Sequence, residues 1–189
     1  SRASSAAQLL DEPCAADVLP KPERVSYGPS EVEKLDIYRT KRGNAPILVF
    51  IHGGYWRSLD KSDHSFIAPA LIDAGALPVM VNYDLAPEVS VSEICLQMVR
   101  ALDWVWRHAT QLGGYPNRIH VVGHSAGGHL AAMMLLAQWK RHARDLPHDL
   151  VKSAMSISGV HELESVRHAT FVQADLKLTP AEAIRCSPA

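Results

Sequence analysis

Cysteine is scarce in this chain. Three residues in 189, at Cys14, Cys95 and Cys186, are odd in number and far apart. That excludes a fully paired disulfide framework and gives none of the close spacings zinc requires, so the expectation is free thiols in a reducing cytoplasm. An excess of one charge sign is also lacking. Nineteen Lys and Arg face 20 Asp and Glu, a net charge of −1, which leaves no field to gather nucleic acid or an anionic membrane surface. The short basic cluster Lys140 to Arg144 falls at an expected helix C-terminus, where cations complement the helix dipole. No apolar run approaches the roughly 20 residues of a membrane span. Ser1 to Ser5 do not have the charged-then-apolar layout of a secretory signal. Ten histidines are scattered without a companion acid or cysteine at metal spacing, so neither a metal nor a cofactor is called for. The expectation is a cytoplasmic protein with no nucleic-acid or membrane partner; a homodimer stays open.

What is present is ordinary for one globular domain, 47% apolar and 21% charged. Residues 1–24, rich in Ala, Ser and Pro, read as an N-terminal arm. Val25 to Tyr27 and Leu35 to Tyr38 alternate apolar and polar residues around Gly28-Pro29-Ser30, the pattern of an antiparallel hairpin. Ile47 to Ile51 is apolar throughout, as a parallel strand covered on both faces would be. A helix over Asp63 to Ala74, a strand over Leu77 to Val81 and a long amphipathic helix after Ser90 follow. That helix has its stripe at Val91, Ile94, Cys95, Met98, Ala101, Leu102, Val105 and Ala109. Ile119 to Val122 is a third buried strand, Ala126 to about Lys140 a helix, and Val151 to Ile157 a fourth strand. The alternation predicts an α/β fold, a mostly parallel sheet with helices on both faces.

Ligands of such sheets bind at the carboxyl ends of the strands. There the chain carries His52-Gly53-Gly54-Tyr55-Trp56, Asn82 to Pro87, Gly123-His124-Ser125-Ala126-Gly127 and Ser158 to His161. A Gly-x-Ser-x-Gly between a strand and a helix is the layout that exposes a nucleophilic serine, here Ser125. Acyl transfer through serine also needs donors for the developing oxyanion. The N–H groups of Gly53, Gly54 and Ala126 are the candidates. His124 reads as a support of the turn and His129 as structural.

These segments, in this order, resemble the α/β-hydrolase fold and its carboxylesterase and hormone-sensitive-lipase-like branch. The His-Gly-Gly-x-Trp form is similar to that of the kynurenine formamidase (arylformamidase) group, as are Leu59 to Asp63 and Leu176 to Ala183. The resemblance covers residues 25–189. It implies attack by Ser125 on the formyl carbon of an N-formyl arylamine such as N-formylkynurenine, a small-molecule acyl substrate. Tyr55 and Trp56 would wall or stack on the substrate ring, or Trp56 would pack beneath its loop.

In that fold the orienting acid and the histidine base follow the serine on later strands. The histidines after Ser125 are His129, His142, His148, His161 and His168. Of these only His161 stands at a strand's carboxyl end, where it would face the substrate pocket with Tyr55 and Trp56, and it precedes the expected acid position. Asp175 and Glu182 precede any further strand. Neither catalytic acid nor base is found, and the expectation is that residues 25–189 are the N-terminal portion of a longer hydrolase, incomplete on its C-terminal side. A broad short-acyl carboxylesterase, or a non-catalytic hydrolase-like binding module if the chain is whole, are the competing readings.

Overall fold

The computed structural model describes residues 20–188. Most of the expected N-terminal arm, Cys14 included, lies outside the described residues. Six strands form one sheet in the order β1-β2-β4-β3-β5-β6. They are β1 (Glu23–Ser26), β2 (Lys34–Ile37), β3 (Ala45–Ile51), β4 (Leu77–Val81), β5 (Gly114–His124) and β6 (Val151–Ile157). β1 and β2 pair antiparallel, as the alternating pattern predicts, and β2 runs antiparallel to β4. β4, β3, β5 and β6 are mutually parallel. Every residue of β4 is buried, which is why that strand reads as continuously apolar rather than alternating.

Helices cover both faces: α1 (Ala68–Asp73), α2 (Val91–His108), α3 (Ala126–Leu136), α4 (Trp139–His142), α5 (Leu163–Arg167), α6 (Thr170–Leu176) and α7 (Pro180–Arg185). Ser90 caps α2 through the Glu93 N–H at 3.2 Å. All the residues of the expected stripe are buried. No helix among the described residues is long and apolar enough to cross a membrane.

Two expected helices come out differently. The segment predicted over Asp63 to Ala74 opens as a 3-10 turn over Lys61–Ile67, started by a capping box between Asp60 and Asp63. The α-helix proper begins only at Ala68, with Pro69 in its first turn, where a missing N–H costs nothing. The helix predicted to run to about Lys140 stops at Leu136. Ala137 is extended, at φ −62° and ψ 137°, and a short helix restarts at Trp139.

Register sets the site. Ile51 pairs with Val81 on one side and with Gly123 on the other. The segments that follow β3, β4 and β5 therefore emerge side by side at one edge of the sheet.

Candidate active site

Ser125 joins β5 to α3 at φ 55° and ψ −118°. A non-glycine residue pays on the order of 1–3 kcal/mol to sit there, so surrounding structure must hold it. A Cβ on Gly127 would lie 2.0 Å from Ile51 O, and one on Gly123 would lie 2.0 Å from Gly127 O. The turn therefore closes against the end of β3 only with glycine on either side of the serine. Ser125 N–H donates to Ile157 O at 2.8 Å, and Ser125 O accepts from His129 N–H at 3.1 Å. The half-exposed side chain is left at the open end of the sheet.

The loop after β3 lies directly against this turn. A Cβ on Gly53 would meet His124 O at 2.7 Å and Ser125 Cβ at 3.1 Å. Gly54 takes φ 103°, and a Cβ there would stand 2.2 Å from Ser58 O. Tyr55 and Trp56 continue in the left-handed region, at φ 52° and 57°. The turn is closed by the Arg57 and Ser58 N–H groups on Gly54 O at 3.1 and 3.0 Å. Among the described residues, the N–H groups of Gly53, Gly54 and Ala126 donate to no protein acceptor. Three open donors thus flank a strained serine at a helix N-terminus, where the dipole also favours negative charge.

A sequence profile described as alpha/beta hydrolase fold matches residues 48–186. The chain belongs to the alpha/beta hydrolase family. Kynurenine formamidase of Salmo salar is 35% identical over 166 residues, 87% of this chain and 54% of that protein. Carboxylesterase NlhH of Mycobacterium tuberculosis is 42% identical over 94 residues, 49% of this chain and 30% of that one. The chain spans about half the length of the curated kynurenine formamidase it matches. Among solved structures, a Silicibacter protein described as a thioesterase superposes with a TM-score of 0.77 at 29% identity, covering 93% of this chain and 65% of that one. Esterase 2 of Thermogutta terrifontis, at 24% identity and a TM-score of 0.71, shares the fold.

The other residues singled out in the sequence take several places around the turn. Trp56 is fully buried, so it packs beneath its loop rather than walling an open pocket. Its indole N–H donates to His129 Nδ1 at 3.2 Å, and His129 Nε2 lies 2.6 Å from Cys186 O. A donor on one side and a carbonyl on the other fix the neutral Nε2–H tautomer. Burial first of all pushes the His129 pKa down to about 4. His129 is structural, tying the loop after β3 to α3 and to the end of α7. Tyr55 is 41% exposed and meets Phe171 of α6 edge-on, ring centroids 5.3 Å apart. Arg57 holds α6 in place through an ion pair with Asp175 and a bond to Phe171 O at 2.9 Å.

Among the described residues, none of the five histidines after Ser125 bonds it through its ring. His161 Nε2 instead lies 3.1 Å from Ser156 Oγ. His142 pairs with Asp103, His168 with Glu164, and His148 sits beside Asp149. His124 is exposed, its ring 6.4 Å from His64; it is its backbone oxygen, facing Gly53, that lines the turn. Glu182 is buried, and its Oε1 accepts from Ser92 N–H at 2.9 Å in the first turn of α2. No group of three or more His, Cys, Asp or Glu among the described residues is placed to hold a metal.

The sequence reading left three polar residues without a role. His52 is buried, with Nδ1 2.8 Å from Gly53 O and Nε2 3.1 Å from Asn82 Oδ1. It stacks on Tyr83 at 4.3 Å and 6°, and Tyr83 OH donates to His52 O at 2.8 Å. Asn82 Nδ2 donates to Asp60 at 2.7 Å, and its Oδ1 accepts from Lys61 N–H at 3.2 Å. Their signal was their place: polar residues directly after buried apolar strands.

Proposed function

We propose that the protein is a serine hydrolase that removes a small acyl group, most directly a formyl group from an arylamine such as N-formylkynurenine. The observation that carries the reading is Gly53 pressed against a left-handed Ser125, with three N–H groups around it that have no protein acceptor among the described residues. Ser125 Oγ attacks the formyl carbon and its proton passes to a base. The carbonyl oxygen becomes anionic and accepts from Gly53, Gly54 and Ala126, donors fixed before the charge develops. The arylamine leaves with the proton, and water repeats the sequence to release formate and free Ser125. A formyl carbon carries only hydrogen, so a tight donor loop can admit it without a further acyl pocket. Tyr55 and Phe171, exposed and edge-on beside that loop, offer an aromatic surface to the leaving group.

The likeness to the Salmo salar kynurenine formamidase supports the substrate. That to the Mycobacterium tuberculosis carboxylesterase favours a second reading, a broad short-acyl esterase on the same machinery. Comparing kcat/KM for N-formylkynurenine and 4-nitrophenyl acetate separates them. The formamide should be preferred, and a strong preference for the ester overturns the first reading. Either reading needs a base for Ser125, and among the described residues no histidine ring hydrogen-bonds it.

A further inference from the structure

We infer that Tyr83 and His52 are positioning residues for the oxyanion donors, each holding one donor peptide by its carbonyl. The inference rests on the proposed role of Gly53 and Gly54. A trans peptide is planar, with its C=O and N–H directed oppositely. Fixing the oxygen of residue i therefore aims the N–H of residue i+1. The unit between residues 52 and 53 carries the Gly53 N–H, and its oxygen accepts from Tyr83 OH at 2.8 Å. The unit between residues 53 and 54 carries the Gly54 N–H, and its oxygen faces His52 Nδ1 at 2.8 Å. Each candidate donor thus has an anchor at the opposite edge of its own peptide plane, and Tyr83 OH also lies 3.5 Å from Gly53 O.

Neither anchor is free to do something else. Tyr83 is fully buried, and burial holds its hydroxyl above the ordinary tyrosine range, so it stays a donor. The two rings stack nearly parallel, 4.3 Å apart, so each limits the other's rotation. Burial lowers the His52 pKa, so the neutral ring carries one N–H between two acceptors, and the shorter contact assigns it to Nδ1 and Gly53 O at 2.8 Å rather than to Nε2 and Asn82 Oδ1 at 3.1 Å. Asn82, its oxygen held by Lys61 N–H and its nitrogen by the Asp60 carboxylate, bounds the far edge of the ring. Ala86 N–H bonded to Trp56 O at 2.8 Å adds a third tie between the same two loops. The segment after β4 is therefore the rigid backing of a donor loop that, with glycines at 53 and 54, has little stiffness of its own. Preorganisation of this kind matters because a donor mis-aimed before reaction must be reoriented as charge develops.

The test is labelling by an aryl fluorophosphonate, whose P=O oxygen takes the oxyanion position, read as kinact and KI separately. Tyr83→Phe removes one oxygen. It should lower kinact by about tenfold or more, a fraction of the roughly 10²–10³ lost with an entire donor, and leave KI unchanged. His52→Leu should do the same, and His52→Asn, which can keep an N–H toward Gly53 O, should recover most of the rate. Thermal midpoints identify any variant that has merely unfolded. Should His52→Leu fail to fold, Tyr83→Phe and His52→Asn carry the comparison. Folded Tyr83→Phe with the wild-type kinact, or a change in KI alone, overturns the inference. Ser125→Ala is the separate arm: if it labels as fast as wild type, the assignment of the site itself is wrong and this inference falls with it.

Discussion

At the scale of single residues, the site is built by excluding side chains as much as by placing them. Gly127 is the sharpest case, since any Cβ there runs into Ile51 O at 2.0 Å. Gly127→Ala is expected to cost about 3 kcal/mol or more and to lower the thermal midpoint by roughly 2–4 °C per kcal/mol. Gly43→Ala, where nothing lies within 4 Å of the added carbon, is the matched control and should be neutral or slightly stabilising. Equal midpoints for the two variants would mean that the elbow is looser than described. Ser125 and its two glycines were legible because the chemistry demands that exact spacing in sequence. Tyr83 and His52 were not, although both stand in the segments singled out. Their role depends on which carbonyl a side chain reaches across 31 residues, and spacing along one chain does not encode that.

At the scale of elements, strands and the long amphipathic helix were legible because burial repeats along them. The departures are local contests that periodicity does not register. An Asp60 and Asp63 capping box favours a 3-10 start before α1, and an extended Ala137 ends α3 early. Three short helices, α5 to α7, were not separated in the sequence because each is too brief to show a period. They matter to the site: α6 brings Phe171 to Tyr55, and the end of α7 presents Cys186 O to His129. The His129 link predicts a pH dependence. Its folded pKa, about 4, lies below the ordinary 6.5, so the unfolded chain takes up the proton first. The stabilisation, on the order of 3 kcal/mol, is fully present above pH 6.5 and is lost as pH falls toward 4. Denaturation midpoints of wild type and His129→Gln, measured from pH 7 to 4, should converge in acid. Parallel profiles would remove His129 from the acid response.

At the scale of the whole molecule, parallel register assembles the candidate site, because it delivers to one edge three loops that follow Ile51, Val81 and His124. That much followed from the alternation of strand and helix. β6 lies at the edge of the sheet, with Met155 60% and Ile157 42% exposed, an apolar border of the kind that free-standing sheets protect. For the 189-residue polypeptide this predicts concentration-dependent self-association by light scattering, reduced by Met155→Lys. An unchanged association would show that the edge is not the contact. The central claim is that Ser125 is a nucleophile served by the Gly53, Gly54 and Ala126 donors. Its most direct test is peptide mapping by mass spectrometry after exposure to a fluorophosphonate. The account predicts a single adduct on the peptide containing Ser125, absent in Ser125→Ala and slow to form when no base is supplied. An adduct at another residue, or one that persists in Ser125→Ala, would contradict it.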